Sequence, residues 1–273
     1  LEATQKSIKK FQGSFAIAVT SIASPNEIVI AKKSAPMVIG YSDYGLFFAS
    51  DQLALIDVAP KFSYMKDGDI GLINNNEIKF YDLNGKAAKR EIISSKLQPG
   101  QITKGNFPHF MLKEIHDQPQ AIRDTLESKI SHNEIYVESF GPNASKIFST
   151  IEHVKIIACG TSYNAGLVAM YWLEDIAEVS CSVEVASEYR YRKSITQKNT
   201  LFVIISQSGE TADTLEALKS INNKHPESVT LCICNTAESS LTREAKMVFL
   251  MNVGPEIGVA STKAFTGQLV SLS

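Results

Sequence analysis

The chain has 273 residues, of which 44% are hydrophobic and 21% are charged, and its formal net charge is −2. This composition supports a packed core in one large or two ordinary domains, and the near-neutral charge without a Lys/Arg run gives no indication of nucleic-acid binding. No apolar stretch approaches the roughly 18 residues of a membrane span, and residues 1–10 are too polar for a signal peptide. The four cysteines form no CxxC pair and the five histidines show no zinc-binding spacing. We therefore expect buried free thiols, no metal and a cytoplasmic location.

The first part of the chain is predicted to form an antiparallel sheet. Short apolar segments separated by Pro, Gly, Asn and Asp follow each other without long helices between them. The predicted strands are 11–19, 27–33, 37–42, 45–51, 68–76 and 77–83. We predict one short helix over 51–58 and a tight turn at Asn84-Gly85.

A domain boundary is predicted where this succession of short apolar segments and turn residues stops. Residues 94–110 lose periodicity and contain two prolines and two glycines, which is typical of a linker. We place the linker at 99–110, between one domain over 1–98 and a second over 111–273. Leu1 is not a natural start, and residues 264–273 resemble a helix without a stop signal, so we expect a fragment at both ends.

Strands and helices alternate in the second part, after a helical stripe over 111–130 that Pro119 interrupts. The strands are continuous apolar runs, as in a parallel sheet covered on both faces. They are predicted at 154–158, 181–185, 201–205, 229–233 and 247–251, with helices at 163–177, 187–192, 210–222, 238–245 and 261–271. The sequence therefore predicts an α/β fold: a doubly wound, five-stranded parallel sheet, incomplete at its end.

Ligands of such sheets bind beyond the carboxyl ends of the strands. Three of these ends carry glycine and hydroxyl residues: CGTS (159–162), SQSGET (206–211) and IGVAST (257–262). A helix start with free N–H groups, a glycine and hydroxyl donors suits a phosphate dianion without any lysine. The competing interpretation of SQSGET is an ordinary Ser/Thr helix cap. Neither a GxxxxGK[ST] loop nor a GxGxxG turn after the first strand of this part is present.

At these residues the sequence resembles a known family. The segments ACGTSYNAG (158–166), EVASEYRYRK (184–193), SQSGETADTL (206–215) and EIGVASTKAFT (256–266) resemble the first sugar isomerase (SIS) domain of the glutamine:fructose-6-phosphate amidotransferases, or glucosamine-6-phosphate synthases. MLKEIHDQP (111–119) resembles the start of that domain. FFASDQLAL (47–55) resembles the end of the family's N-terminal-nucleophile glutaminase domain.

The resemblance implies an enzyme that makes glucosamine 6-phosphate and glutamate from fructose 6-phosphate and glutamine, without metal or organic cofactor. It implies a homodimer built through SIS domains, and glutamine binding in a part of the glutaminase domain that precedes this chain. It also implies a substrate site whose residues match the family's motifs here: Thr161, Ser162, Ser206, Gln207, Ser208, Thr211, Val259 and Ser261.

The family's catalytic residues have no counterpart in this sequence. Its glutaminase nucleophile is an N-terminal cysteine, whereas residue 1 is Leu1, and its Schiff-base lysine belongs to a second SIS domain and not to the motif around Lys263. We therefore expect the fragment alone to be inactive. Two alternatives are an SIS-type sugar-phosphate-sensing regulator and an aldose–ketose isomerase. A regulator would carry a basic, helical DNA-binding domain in front, and a simple isomerase leaves the first hundred or so residues unexplained.

Overall fold

The computed structural model describes residues 1–94, 102–127, 129–131 and 134–273, and it divides the chain into two compact units, Leu1–Thr103 and Lys104–Ser273. The division falls within the stretch 99–110, of which residues 99–101 lie outside the described residues. The assignment of that stretch as a linker stays a prediction. Within the described ranges, no helix combines the length and the apolarity that crossing a membrane requires.

The first unit contains two antiparallel sheets where one was predicted. Its elements are α1 (Glu2–Ile8), β1 (Phe15–Ser21), β2 (Ser24–Lys33), β3 (Val38–Ser42), β4 (Gly45–Ala49), β5 (Lys61–Tyr64), β6 (Ile70–Asn74), β7 (Glu77–Tyr81), β8 (Ala87–Ala88) and β9 (Ile93–Ser94). The strand orders are β1-β2-β6-β7-β8 and β4-β3-β5-β9. Ile30 and Phe80 of one sheet share a buried cluster with Ile39 of the other. The sheets therefore pack together through their apolar faces.

The predictions of short elements and turns in this unit are only partly correct. The helix predicted at 51–58 is limited to a 3-10 turn over Gln52–Ala54, which the Asp51 carboxylate caps by accepting from Leu53 N at 2.9 Å. Strand β5 was missed because its four residues, KFSY, include two polar ones. The predicted turn at Asn84-Gly85 is present: Gly85 has a φ of 83° and its N–H donates to Asp82 O at 2.9 Å.

The second unit has the predicted doubly wound fold. Its elements are α2 (Phe110–Leu126), a 3-10 turn (Val137–Phe140), α3 (Ala144–Phe148), β10 (His153–Ala158), α4 (Gly160–Asp175), β11 (Ser180–Val185), α5 (Ala186–Tyr191), β12 (Thr200–Ser206), α6 (Ala212–Lys224), β13 (Val229–Cys234), α7 (Ser240–Glu244), β14 (Met247–Leu250) and α8 (Lys263–Leu272). Among the described residues the sheet has five strands in the order β11-β10-β12-β13-β14, and every neighbouring pair is parallel.

Strand β12 lies at the centre of the core, and all of its residues are buried. Val203 and Ile205 belong to one buried cluster, with Ala169 of α4 and Ala264 of α8, whereas the alternate residues Phe202 and Ile204 belong to a second cluster that includes α6. This alternation explains the continuous apolar run, because both faces of a parallel sheet are covered by helices.

Helix α2 continues through Pro119, which was predicted to interrupt it. Proline has no N–H to donate to the carbonyl four residues earlier. That carbonyl, Ile115 O, instead accepts a hydrogen bond from Gln118 Nε2 at 3.0 Å. The side chain of the preceding residue thus supplies the donor that proline lacks, and the helix remains one element.

Candidate functional site

A cleft of about 200 Å³ lies where the chain leaves β10, β12 and β14. From β10 the chain proceeds to β11 on one side, and from β12 it proceeds to β13 and β14 on the other. The cleft is therefore at the switch point of the sheet, where doubly wound folds bind their ligands. Its lining residues are Cys159, Ser162, Ile205, Ser206, Gln207, Ser208, Thr211, Thr214, Glu256, Gly258, Val259 and Ser261.

The turn after β12 contributes the largest group of polar side chains to the cleft. Ser206 Oγ accepts from Gly209 N at 3.0 Å and lies 3.3 Å from Thr211 Oγ1, while Ser208 Oγ accepts from Glu210 N at 3.2 Å. These bonds fold the segment into a tight turn. The hydroxyls of Ser206, Ser208 and Thr211 consequently line one small region of the cleft.

Glycine is required within this turn. Gly209 has a φ of 69°, and a Cβ at this position would lie 2.1 Å from Ser239 Oγ and 2.8 Å from Cys234 Sγ. The backbone of Gly209 is also fixed from the other side, because Leu241 N donates to Gly209 O at 3.1 Å. The turn is thus packed directly on the loop that leads from β13 into α7.

Helix α6 begins at this turn without a side-chain cap. Thr211 is its N-cap residue, and its side chain makes no capping hydrogen bond. Helix α4 begins beside the same cleft, and its N-cap residue, Cys159, likewise makes none. Uncapped helix starts present N–H groups and a partial positive charge to whatever lies in front of them. This side of the cleft is therefore suited to an anion although none of the described Lys or Arg residues lines it.

The carboxylate of Glu256 also lines the cleft, although Glu256 was not among the predicted site residues. Its Oε1 accepts from Thr262 N at 2.8 Å and from Ala264 N at 3.2 Å, and its Oε2 accepts from Ser261 Oγ at 3.1 Å. The Glu256 carboxylate therefore binds the N–H groups at the start of α8. These groups are no longer available to an external anion.

Of the eight predicted site residues, seven line this cleft and Thr161 does not. Thr161 is exposed in the first turn of α4, whereas Ser162, 7% exposed, accepts from Gln268 Nε2 at 2.9 Å. The five lining residues outside the predicted set are Cys159, Ile205, Thr214, Glu256 and Gly258. Cys159 and Thr214 could have been found from their positions, since Cys159 directly follows β10 and Thr214 lies in the first turn of α6.

The four cysteines are free, and two of them, Cys232 and Cys234, are fully buried. Burial, reinforced by the nearby Glu174, raises the pKa of Cys181 to about 12, so this thiol stays protonated near neutral pH. No cluster of three or more His, Cys, Asp or Glu side chains that could hold a metal occurs in the described ranges.

Part of the chain matches a known domain model, and the whole chain aligns with part of longer proteins. Residues 147–273 match the SIS domain model. The chain is 48% identical over 272 residues to the glutamine–fructose-6-phosphate aminotransferase (isomerizing) of Vibrio vulnificus, and 48% identical over 270 residues to that of Pseudomonas aeruginosa. These alignments include 100% and 99% of this chain and 44% of each relative.

A solved structure gives the same result. The C-terminal domain of glucosamine-fructose-6-phosphate aminotransferase from Francisella tularensis is 51% identical to the chain, with a TM-score of 0.60, over 62% of this chain and 47% of that one. The resemblance predicted from the sequence is confirmed: the chain is homologous over its whole length to part of the glutamine–fructose-6-phosphate aminotransferases, and it contains an SIS domain. It spans about 44% of the length of the curated relatives it matches.

Proposed function

We propose that the cleft binds fructose 6-phosphate, and that the chain is part of an amidotransferase that converts fructose 6-phosphate and glutamine into glucosamine 6-phosphate and glutamate. The observation that carries the proposal is the turn of residues 206–211, whose hydroxyls line the cleft directly in front of the uncapped start of α6. The names of the homologous proteins indicate the substrate and the reaction.

The charges in the cleft determine how the sugar phosphate would lie. The phosphate dianion belongs at the helix starts of α6 and α4, where Ser206, Ser208 and Thr211 add hydroxyl donors. Glu256, the one carboxylate among the described residues of the lining, repels the phosphate and therefore faces the sugar end. Ser261 already donates to Glu256, so its oxygen remains available to accept a hydrogen bond from a sugar hydroxyl.

The remaining assignments of the proposal concern the rest of the protein. Residues 1–98 would be the C-terminal part of a glutaminase domain and residues 111–273 the first SIS domain. The glutaminase would release ammonia from glutamine, and SIS domains would pair two chains as a homodimer. The two-sheet first unit and the homology of the whole chain to these aminotransferases support this division.

We place the protein in the cytoplasm, since its described cysteines are all free.

Calorimetric titration with fructose 6-phosphate tests the proposal. Ser208→Ala removes one donor to a charged group, which costs about 1.5–3 kcal/mol, or roughly a 10- to 150-fold loss of affinity. Ser206→Asp should weaken binding further, because it adds negative charge where the phosphate lies. Unphosphorylated fructose should bind far more weakly than its phosphate.

Thermal melting of each variant serves as the control for folding. Normal melting with unchanged affinity in both variants would mean that the turn does not bind the ligand. If fructose bound as tightly as fructose 6-phosphate, the site would not be a phosphate site at all.

A further inference from the structure

Helix α2 lies outside the strand ends that form the cleft, yet one of its side chains holds a loop of the cleft. Glu114 is 2% exposed. Its Oε1 accepts from Ile257 N at 2.6 Å and from Gly258 N at 3.1 Å, and its Oε2 lies 3.2 Å from the same Gly258 N. Two consecutive backbone N–H groups of the loop that follows β14 therefore converge on one carboxylate.

Burying a carboxylate is unfavourable unless hydrogen bonds compensate its charge, so Glu114 needs the hydrogen bonds that the loop donates. Among the ion pairs found in the described ranges, none includes Glu114. The two loop N–H groups are thus the groups that balance the Glu114 charge. The loop and the carboxylate depend on each other, and each would lose its buried partner if the other moved.

The fit between loop and helix is close. A Cβ added to Gly258 would lie 2.6 Å from Glu114 Oε2 and 3.5 Å from Met111 Cα. Gly258 and the next residue, Val259, both line the cleft. The bonded segment is therefore continuous with the segment that reaches the ligand space, and a shift of Glu114 changes the position of the cleft wall.

Two neighbouring residues of α2 hold the chain just beyond this loop. Asp117 Oδ2 lies 3.4 Å from the ammonium of Lys263, which is 4% exposed at the start of α8. Gln118 Oε1 accepts from Thr266 Oγ1 at 2.5 Å. The segment 111–119, which the strand-end argument did not use, thus contacts both the loop and the helix that follows it.

We propose that Glu114 is a positioning residue for the sugar end of the ligand: by binding the Ile257 and Gly258 N–H groups it fixes the loop that places Gly258, Val259 and Ser261 in the cleft. The inference rests on the proposed function, since it concerns the same sugar phosphate. It adds a residue that does not line the cleft and that acts only through the loop.

The test combines hydrogen exchange with calorimetry on the complete 273-residue chain. Glu114→Ala removes the acceptor of both N–H groups. It should reduce the exchange protection of the peptide covering 254–262, through Ile257 and Gly258, and weaken fructose 6-phosphate binding about tenfold or more. Glu114→Gln keeps one acceptor oxygen but turns an NH₂ group toward an N–H, so its effects should be intermediate. Glu127→Gln, an exposed substitution at the end of the same helix, should change neither quantity.

The outcomes separate this inference from the proposed function. If the wild-type chain binds fructose 6-phosphate and Glu114→Gln leaves both affinity and loop protection unchanged, Glu114 does not position the loop. If protection of 254–262 falls but affinity does not, the loop is held by Glu114 without serving the ligand, and the inference is wrong. If the wild-type chain binds no fructose 6-phosphate, the proposed function fails first, and the inference fails with it.

Discussion

Replacing Gly209 by alanine should destabilise the second unit more than any comparable glycine substitution near the cleft. Two costs add at this position. A φ of 69° is unfavourable for an L residue by about 1–2 kcal/mol, and the new Cβ would lie 2.1 Å from Ser239 Oγ and 2.8 Å from Cys234 Sγ. Overpacking of this kind costs about 1–3 kcal/mol. The expected loss in free energy of unfolding is therefore about 2–5 kcal/mol.

Gly160 provides the matched control in the same unit. Its φ is 57°, but a Cβ there would meet no atom within 4 Å. Gly160→Ala should therefore lose only the conformational part, about 1–2 kcal/mol. The difference between the two variants isolates the contact with Ser239 and Cys234, because the backbone term is nearly the same in both.

Urea unfolding followed by tryptophan fluorescence measures both values in the relevant unit. Trp172 is the one tryptophan of the sequence and lies in α4, so its signal reports on the second unit even if the two units unfold separately. Equal losses for Gly209→Ala and Gly160→Ala would refute the packing argument. In addition, Gly209→Ala should weaken fructose 6-phosphate binding, since the hydroxyls of the turn can no longer converge.

Two further predictions concern the linker and a partly buried group of ion pairs around Glu184. Limited proteolysis should cut first within 99–110, and early cuts inside 154–205 would contradict the domain boundary. Burial alone would raise the pKa of Glu184, but hydrogen bonds from Lys155 and Arg192 outweigh it and hold the pKa below the ordinary value of 4.5. A lowered pKa stabilises the fold above that value and loses this contribution as the pH falls through the lower, folded-state pKa. Glu184→Gln should therefore cost about 1–3 kcal/mol near neutral pH in urea unfolding and progressively less in acid; a pH-independent difference would contradict the assignment.

The parallel sheet was predicted well because its signal is local. Each strand is a continuous apolar run, and β12, buried throughout, corresponds closely to the predicted strand 201–205. The turn at 206–211 was found for the same reason: its glycine and hydroxyl residues are adjacent in the sequence and follow a strand directly. By contrast, α1 and β5 were missed, because seven or fewer residues with several polar members give no clear periodicity.

The two glutamates near the cleft could not be found from local pattern. Glu114 acts on a loop 143 residues away, and a glutamate in a helix is ordinarily exposed to solvent. Glu256 lies five residues before the serine that donates to it, in a segment without periodicity. The N–H groups that Glu114 binds become its neighbours only when the sheet assembles, whereas the partners of Glu256 lie in its own irregular loop, which gives no periodic signal.

Glu256 also explains why two strand ends with similar sequences differ in their ability to bind an anion. SQSGET and IGVAST both offer hydroxyls before a helix, and both suited an anion when judged by residue type alone. In the structure Glu256 already accepts from Thr262 N and Ala264 N at the start of α8, whereas the N-cap of α6 makes no side-chain bond. A helix start that holds an internal carboxylate repels a second anion, while an open one attracts it. This difference supports the proposed placement of the phosphate at 206–211, with Val259 and Ser261 toward the sugar.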